Sequence, residues 1–119
     1  MIRTLHWFLA LASAVVMTVA ALEASRRAFL KRPPGPMAAR ITGTVLLLLG
    51  VTAASGLGMF VAGVHPRKDL HFVYALLAFG AVPLADALGR RGSPRRRALI
   101  TVAGALFGLV LIVRLFTTG

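Results

Sequence analysis

Residues 41–63 read ITGTVLLLLGVTAASGLGMFVAG, with no charged side chain anywhere in the run. A helix needs ~20 mostly apolar residues to cross ~30 Å of hydrocarbon, and this stretch supplies them. Working outward, three more runs of the same kind appear, at 4–24 before it and at 69–88 and 98–117 after it. Together they use most of the 119 residues, so no separate extramembrane domain fits. The chain is 58% hydrophobic and 14% charged, against about 25% charged in soluble domains. The expected fold is all-α: an integral membrane four-helix bundle, antiparallel and up-down, forming a single transmembrane domain over 1–119 in contact with the lipid bilayer.

The net charge is +11, which in a soluble protein would point to nucleic acid. The positions of the charges give a different reason for it. The gap after the first run holds Arg26, Arg27, Lys31, Arg32 and Arg40, and the gap after the third holds Arg90, Arg91, Arg95, Arg96 and Arg97. The opposite side has Arg3, Arg67, Lys68 and Arg114. Cytoplasmic loops of membrane proteins carry such an excess. Loops 25–40 and 89–97 are therefore expected in the cytoplasm, both termini outside, and no nucleic acid as partner. The same charges would attract anionic headgroups. The compact, loop-poor design suggests a bacterial plasma membrane. With no cysteine, disulfides, thiolate metal sites and thiol redox chemistry are excluded. Ala21-Leu22-Glu23-Ala24 loosely resembles a signal-peptide cleavage site. The run before it is long enough to span, however, and Arg26 and Arg27 would have to be exported, so a retained helix is expected.

Local spacing adds detail. Glu23 precedes Arg26 and Arg27 by three and four positions, and Asp86 precedes Arg90 by four, so both acids should pair at the membrane interface. Lys31 to Pro36 reads as loop, because proline lacks a donor and restricts its predecessor. Gly50, Ala54, Gly58 and Ala62 form one small-residue stripe, and Gly104 and Gly108 a GxxxG pair; such faces let helices approach closely in lipid. The neighbour on each face is either this chain or another copy. Asp69 is a candidate N-cap for the third helix. Pro83 should kink that helix or end its regular ladder. Gly89, Gly92 and Pro94 mark a tight basic turn, making the third and fourth helices antiparallel neighbours.

One polar constellation stands out. His6 lies one turn into the first helix and His71 near the start of the third, which runs the same way, so the two share a depth near the outer face. From His6 one helix face continues through Ala10, Ser13, Ala14 and Met17; from His71 it continues through Tyr74, Ala75, Ala78 and Val82. Faces so rich in small residues point into a bundle more readily than into lipid, and ionisable residues within spans usually mark pairing or function. Arg114 returns to the same depth, and Arg3, His65 and Asp69 are near it. Two imidazoles on different helices suit a metal-bound cofactor, with His6 and His71 as axial ligands of a haem b. Arg3, Lys68 or Arg114 would hold its propionates. A quinone pocket built from histidine, Tyr74 and arginine is a second candidate. Copper through His6, His65 and His71 lacks the usual soft ligands. The plain alternative is that these are headgroup-level residues, His6 beside Trp7 as an anchor and Arg114 as a snorkelling cation.

Through His6, His71 and the small residues below them, the chain resembles the four-helix membrane b-type cytochromes, including the b561-like group. That resemblance implies haem b and electron transfer or quinone-linked redox. Those families generally pair histidines for two haems, one near each membrane face. Here the cytoplasmic half has no histidine, so one haem is the most this pattern would hold. The stretch Asp69 to Ala75, Asp-Leu-His-x-x-Tyr-Ala, also resembles one found in small uncharacterised bacterial membrane proteins and implies no activity.

Other classes fit less well. A proton-coupled exporter needs a membrane-buried carboxylate, whereas Glu23 and Asp86 both sit near the cytoplasmic ends beside arginines. No phosphate loop or metalloprotease motif is present. Ser13, Ser25, Ser55 and Ser93 are expected to have no histidine at their depth to activate them, so the chain is not expected to be an enzyme on its own. The alternative to a redox role is a non-catalytic accessory or assembly subunit, joined to other membrane subunits or to itself through the stripe on the second helix.

Overall fold

The computed structural model describes all 119 residues. Four helices follow one another: α1 (Ile2–Leu30), α2 (Pro36–Val61), α3 (Leu70–Gly89) and α4 (Pro94–Thr118). All four are long and apolar enough to cross a membrane. They form an up-down bundle of 48 × 22 × 18 Å. At about 1.5 Å rise per residue, α1 alone is about 43 Å long. It therefore exceeds ~30 Å of hydrocarbon by about two turns in total.

The helices outrun the apolar runs because their polar ends have their own reasons to be helical. Glu23 and Arg27 stand one turn apart and pair at 2.8 Å, which carries α1 on to Leu30. There Lys31 takes a left-handed conformation (φ 53°) and the next amide returns to Arg27 O, closing the helix. Pro36 opens α2 and Pro94 opens α4, each in the first turn, where a missing N–H costs nothing. Pro36 was expected in the loop and is instead the first residue of its helix. Ser93 caps α4 through a 3.2 Å bond from Arg96 N to its hydroxyl. Asp69 precedes α3 but makes no capping bond: its backbone is already helical (φ −61°, ψ −29°), and a capping side chain needs an extended one. Pro83 does not end α3, which continues unbroken to Gly89.

Packing is uneven. α3 lies along α4, α4 along α1 and α1 along α2, while α2 and α3 barely touch. α1 and α3 therefore stand diagonally across the bundle. The core is built largely of small residues around Met17, Val45, Leu49, Val82, Leu111 and Ile112. The small residues let backbones come close. A methyl group on Gly104 would overlap Ala85 Cβ, and one on Gly108 would lie 2.8 Å from Met17 Cε. Hydroxyls inside the helices are satisfied locally: Ser13, Thr52 and Thr101 each donate to the carbonyl four residues back. The stripe on α2 behaves differently. Gly50 is half-buried, but Ala54, Gly58 and Ala62 are exposed, and a Cβ on Gly58 would meet only Ile2 Cδ1, at 3.6 Å. The outer surface is apolar, with Phe8, Leu22, Leu47 and Leu76 among its exposed side chains.

At the end carrying the two short loops, Arg27 takes Glu23 as expected, and Arg26 is left exposed. Asp86 does reach Arg90, at 3.6 Å, but its closer partner is Arg97 on α4, at 2.8 Å. The α3–α4 turn is tight enough to bring that first-turn arginine back onto α3.

Candidate cofactor site

Both termini and the Val64–Asp69 connection share the other end of the bundle, and there His6 and His71 meet. Their ring centroids are 6.4 Å apart and their planes are tilted by 47°. They face each other across the bundle's diagonal, one from α1 and one from α3. Below them the predicted faces do turn inward: Ser13, Met17, Ala78 and Val82 are buried, with Ala10, Ala14, Tyr74 and Ala75 partly so.

Each ring is held by a neighbouring helix through Nδ1. His6 Nδ1 is 2.8 Å from Ser55 Oγ and 3.1 Å from Thr52 O on α2. His71 Nδ1 is 3.2 Å from Thr118 Oγ1 on α4. Counting donors identifies the tautomers. Thr52 O can only accept, so His6 carries its hydrogen on Nδ1. Ser55 spends its own hydroxyl hydrogen on the same carbonyl, at 2.8 Å, and so accepts from the ring. At His71 the partner is a hydroxyl: with the Thr118 hydrogen given to Arg114 O at 2.9 Å, its oxygen accepts from Nδ1–H, the same tautomer as at His6. In their neutral forms both imidazoles thus present an unprotonated Nε2, the arrangement by which proteins orient histidine ligands.

This corrects the expectation for Ser55, which does have a histidine at its depth. The α1–α2 hairpin is antiparallel, so the C-terminal half of α2 returns level with the start of α1. The contact does not make a nucleophile, however. A general base must accept the hydroxyl's proton, and here His6 Nδ1 donates to Ser55. Two glycines complete the setting. A Cβ on Gly56 would stand 3.1 Å from His6 Cε1, and one on Gly119 would stand 3.0 Å from His71 Cε1. Their bareness lets the rings lie against backbone.

The remaining candidates are more dispersed. Tyr74 packs against the core below the pair. Arg3 joins Thr4, Trp7, Phe8 and Leu11 around an open concavity of about 440 Å³ on the flank of α1. Trp7 meets Phe116 there, with ring centroids 4.7 Å apart. Arg114 is exposed on α4, and neither it nor Arg3 enters an ion pair. His65 packs edge-on against Phe60 at 4.8 Å, and no group of three metal-ligating side chains forms. The three histidines thus do not assemble the copper site considered from sequence. Thr52, Ser55, Gly56, Thr118 and Gly119 were missed. The only signal for them was positional: they fall where the last turns of α2 and α4 return to the level of His6 and His71.

The chain matches no family model, no curated protein and no solved structure. Function is therefore inferred from the site's own chemistry.

Proposed function

We propose that this is a four-span integral membrane protein whose histidine pair holds one haem b near the outer face, for electron transfer or quinone-linked redox. The termini would lie outside and loops 25–40 and 89–97 in the cytoplasm, in a bacterial plasma membrane. The ten basic residues at the loop end support that orientation. The observation that carries the haem reading is the matched pair of Nδ1-anchored imidazoles facing each other 6.4 Å apart. With metal–imidazole bonds of about 2.0–2.1 Å, two rings at this separation could both reach a single ion.

The donor set fits this cofactor better than the others. A bare zinc or copper ion needs three or four protein ligands, and only two converge here. A haem, whose iron is already held by its macrocycle, would ask the protein only for His6 and His71. A quinone carbonyl accepts hydrogen bonds, whereas neutral His6 and His71 offer it lone pairs. Arg3 and Arg114, free of ion pairs, would serve the propionates, and Tyr74 would line the floor. When bound, the group supplies a one-electron redox centre.

The test is an absorption spectrum of the detergent-purified protein, air-oxidised and then dithionite-reduced. A Soret band with sharp reduced α and β bands, lost in His6→Ala and in His71→Ala, is expected. A colourless preparation from haem-replete cells overturns the reading. The second reading, an accessory subunit without chemistry, is favoured by the exposed Ala54, Gly58 and Ala62 on α2. It expects alanine at both histidines to be tolerated.

A further inference from the structure

At the opposite end of the bundle, Arg27 is 8% exposed, and its Nη1 is buried with no hydrogen-bond partner. A buried guanidinium nitrogen without an acceptor is costly. Glu23 does not relieve it, because both carboxylate oxygens are turned onto Nε, at 2.8 and 2.9 Å. The other acid at this end, Asp86, is taken by Arg97 and Arg90.

The bundle's register shows what surrounds that nitrogen. Met17 lies against Gly108 of α4, and Trp7 against Phe116. Continued along α1, this pairing brings Arg27 level with Ala98, just past the first turn of α4. His6 lies against Ser55 and Gly56 of α2, and Ile2 against Gly58. Continued in turn, this brings Arg27 level with Pro34 and Gly35, where α2 begins. The uncapped N-terminus of α2 therefore lies beside it, and that of α4, which Ser93 caps through Arg96 N, lies near. Gly35 has no side chain with which to cap α2, and neither helix has an acid in its first turn. The first turn of α4 instead carries Arg95, Arg96 and Arg97, of which only Arg97 has a carboxylate. Cations at a helix N-terminus oppose the dipole, and N-terminal amides bind anions. With Glu23 and Asp86 both taken, the charged side chains left without a partner here are all basic.

We infer that this end of the bundle binds one phosphate group, seated between the first turns of α2 and α4 with Arg27 Nη1 as its innermost donor. Arg95 and Arg96 supply further charge. The phosphate belongs either to an anionic phospholipid, whose chains would run along the apolar flank, or to a free anion. This site does not depend on the histidine pair.

The experiment is a melting-temperature titration of the purified protein in phosphate-free detergent solution. The probes are phosphatidylglycerol, diacylglycerol as a lipid without phosphate, and inorganic phosphate. Binding to the folded state raises the melting temperature and yields an apparent Kd. Phosphatidylglycerol is expected to stabilise the wild type, and diacylglycerol is not. Arg27→Gln should weaken binding at least about tenfold, the factor carried by one hydrogen bond to a charged group. Arg26→Gln removes the same charge from an exposed neighbour and should leave binding within about twofold. Because Arg27→Gln strands Glu23, the Glu23→Gln/Arg27→Gln pair is measured beside it and should lose binding equally. An Arg27-dependent response to inorganic phosphate alone identifies the free anion as the source; a response to phosphatidylglycerol alone identifies the lipid. Equal weakening by Arg26→Gln and Arg27→Gln, or equal binding of diacylglycerol, overturns the site.

Discussion

Helices α2 and α4 carry small residues at the same four-residue spacing, and the bundle uses them in opposite ways. On α4, Gly104 and Gly108 lie against Ala81, Ala85 and Met17, with no room for a methyl group. On α2, a Cβ at Gly58 would meet only Ile2 Cδ1 at 3.6 Å, ordinary van der Waals contact. Small residues permit close approach in lipid but supply no attraction of their own. Whether a neighbour arrives depends on what else holds the helices together. α4 is tied to α3 by the short Gly89–Gly92 turn and by Arg97 on Asp86. α2 is tied mainly to α1, and its polar contacts with that helix run through Thr52 and Ser55 to His6. The loosest helix of the fold thus positions one of its two most functionally suggestive side chains.

The largest effect should come from filling the tight seam. Gly104→Leu forces a side chain into Ala85 and to within 2.9 Å of Ala81 O, at a cost of about 3 kcal/mol or more. Thermal unfolding by circular dichroism in detergent should show a markedly lowered or absent transition. A wild-type melting curve would mean that the two glycine faces are equivalent after all. Next come the anchors of the histidines. Ser55→Ala on the loose helix and Thr118→Val on the tight one each remove an acceptor from an Nδ1–H. Loss of such outer partners lowers metal affinity about 10–100-fold, read here as haem content per protein after purification. If α2 holds His6 only loosely, Ser55→Ala costs less than Thr118→Val. Unchanged content in both would show that the rings need no anchoring.

How much of the molecule is legible in its sequence follows the same division. The number of helices and their apolar stretches are plain, because an uncharged apolar run of spanning length can satisfy its backbone in lipid only as a helix. The pairing of His6 with His71 is legible too, since two helices running the same way bring equal positions to equal depth. Helix ends read too short: Arg26, Arg27 and Arg40 interrupt hydropathy but not helicity, as long basic side chains extend from helix ends beyond the apolar zone. The partners that hold the histidines are not legible. Ser55 and Thr118 meet them through antiparallel register, and one turn of slippage would put Val51 or Met59 in place of Ser55 and Arg114 or Leu115 in place of Thr118. Arg97 escapes notice as a partner of Asp86 for the same reason, although Arg90, four positions along the same helix, does not.

The remaining effects are small. Asp86→Asn removes the bond that ties α4 to α3, but Asp86 and Arg97 keep 30% and 27% of their side chains exposed. A pair so placed contributes about 1 kcal/mol or less and is screened by salt. The melting temperature should fall slightly in low salt and converge on wild type in high salt; a large, salt-independent loss would mean that charge rather than close packing holds the seam. Gly58→Leu is the counterpart of Gly104→Leu and should change the stability of the isolated protein by no more than about 0.5 kcal/mol. Its effect should appear elsewhere, if anywhere. A helix face lined by Ala54, Gly58 and Ala62 offers any approaching helix the closeness that Gly104 offers α3. Should a second copy or another subunit use that face, Gly58→Leu would abolish the complex seen by light scattering in mild detergent while leaving the melting curve and the haem spectrum intact. Loss of the fold itself would show that α2 packs more tightly on its own chain than on any partner, and the contrast with α4 would disappear.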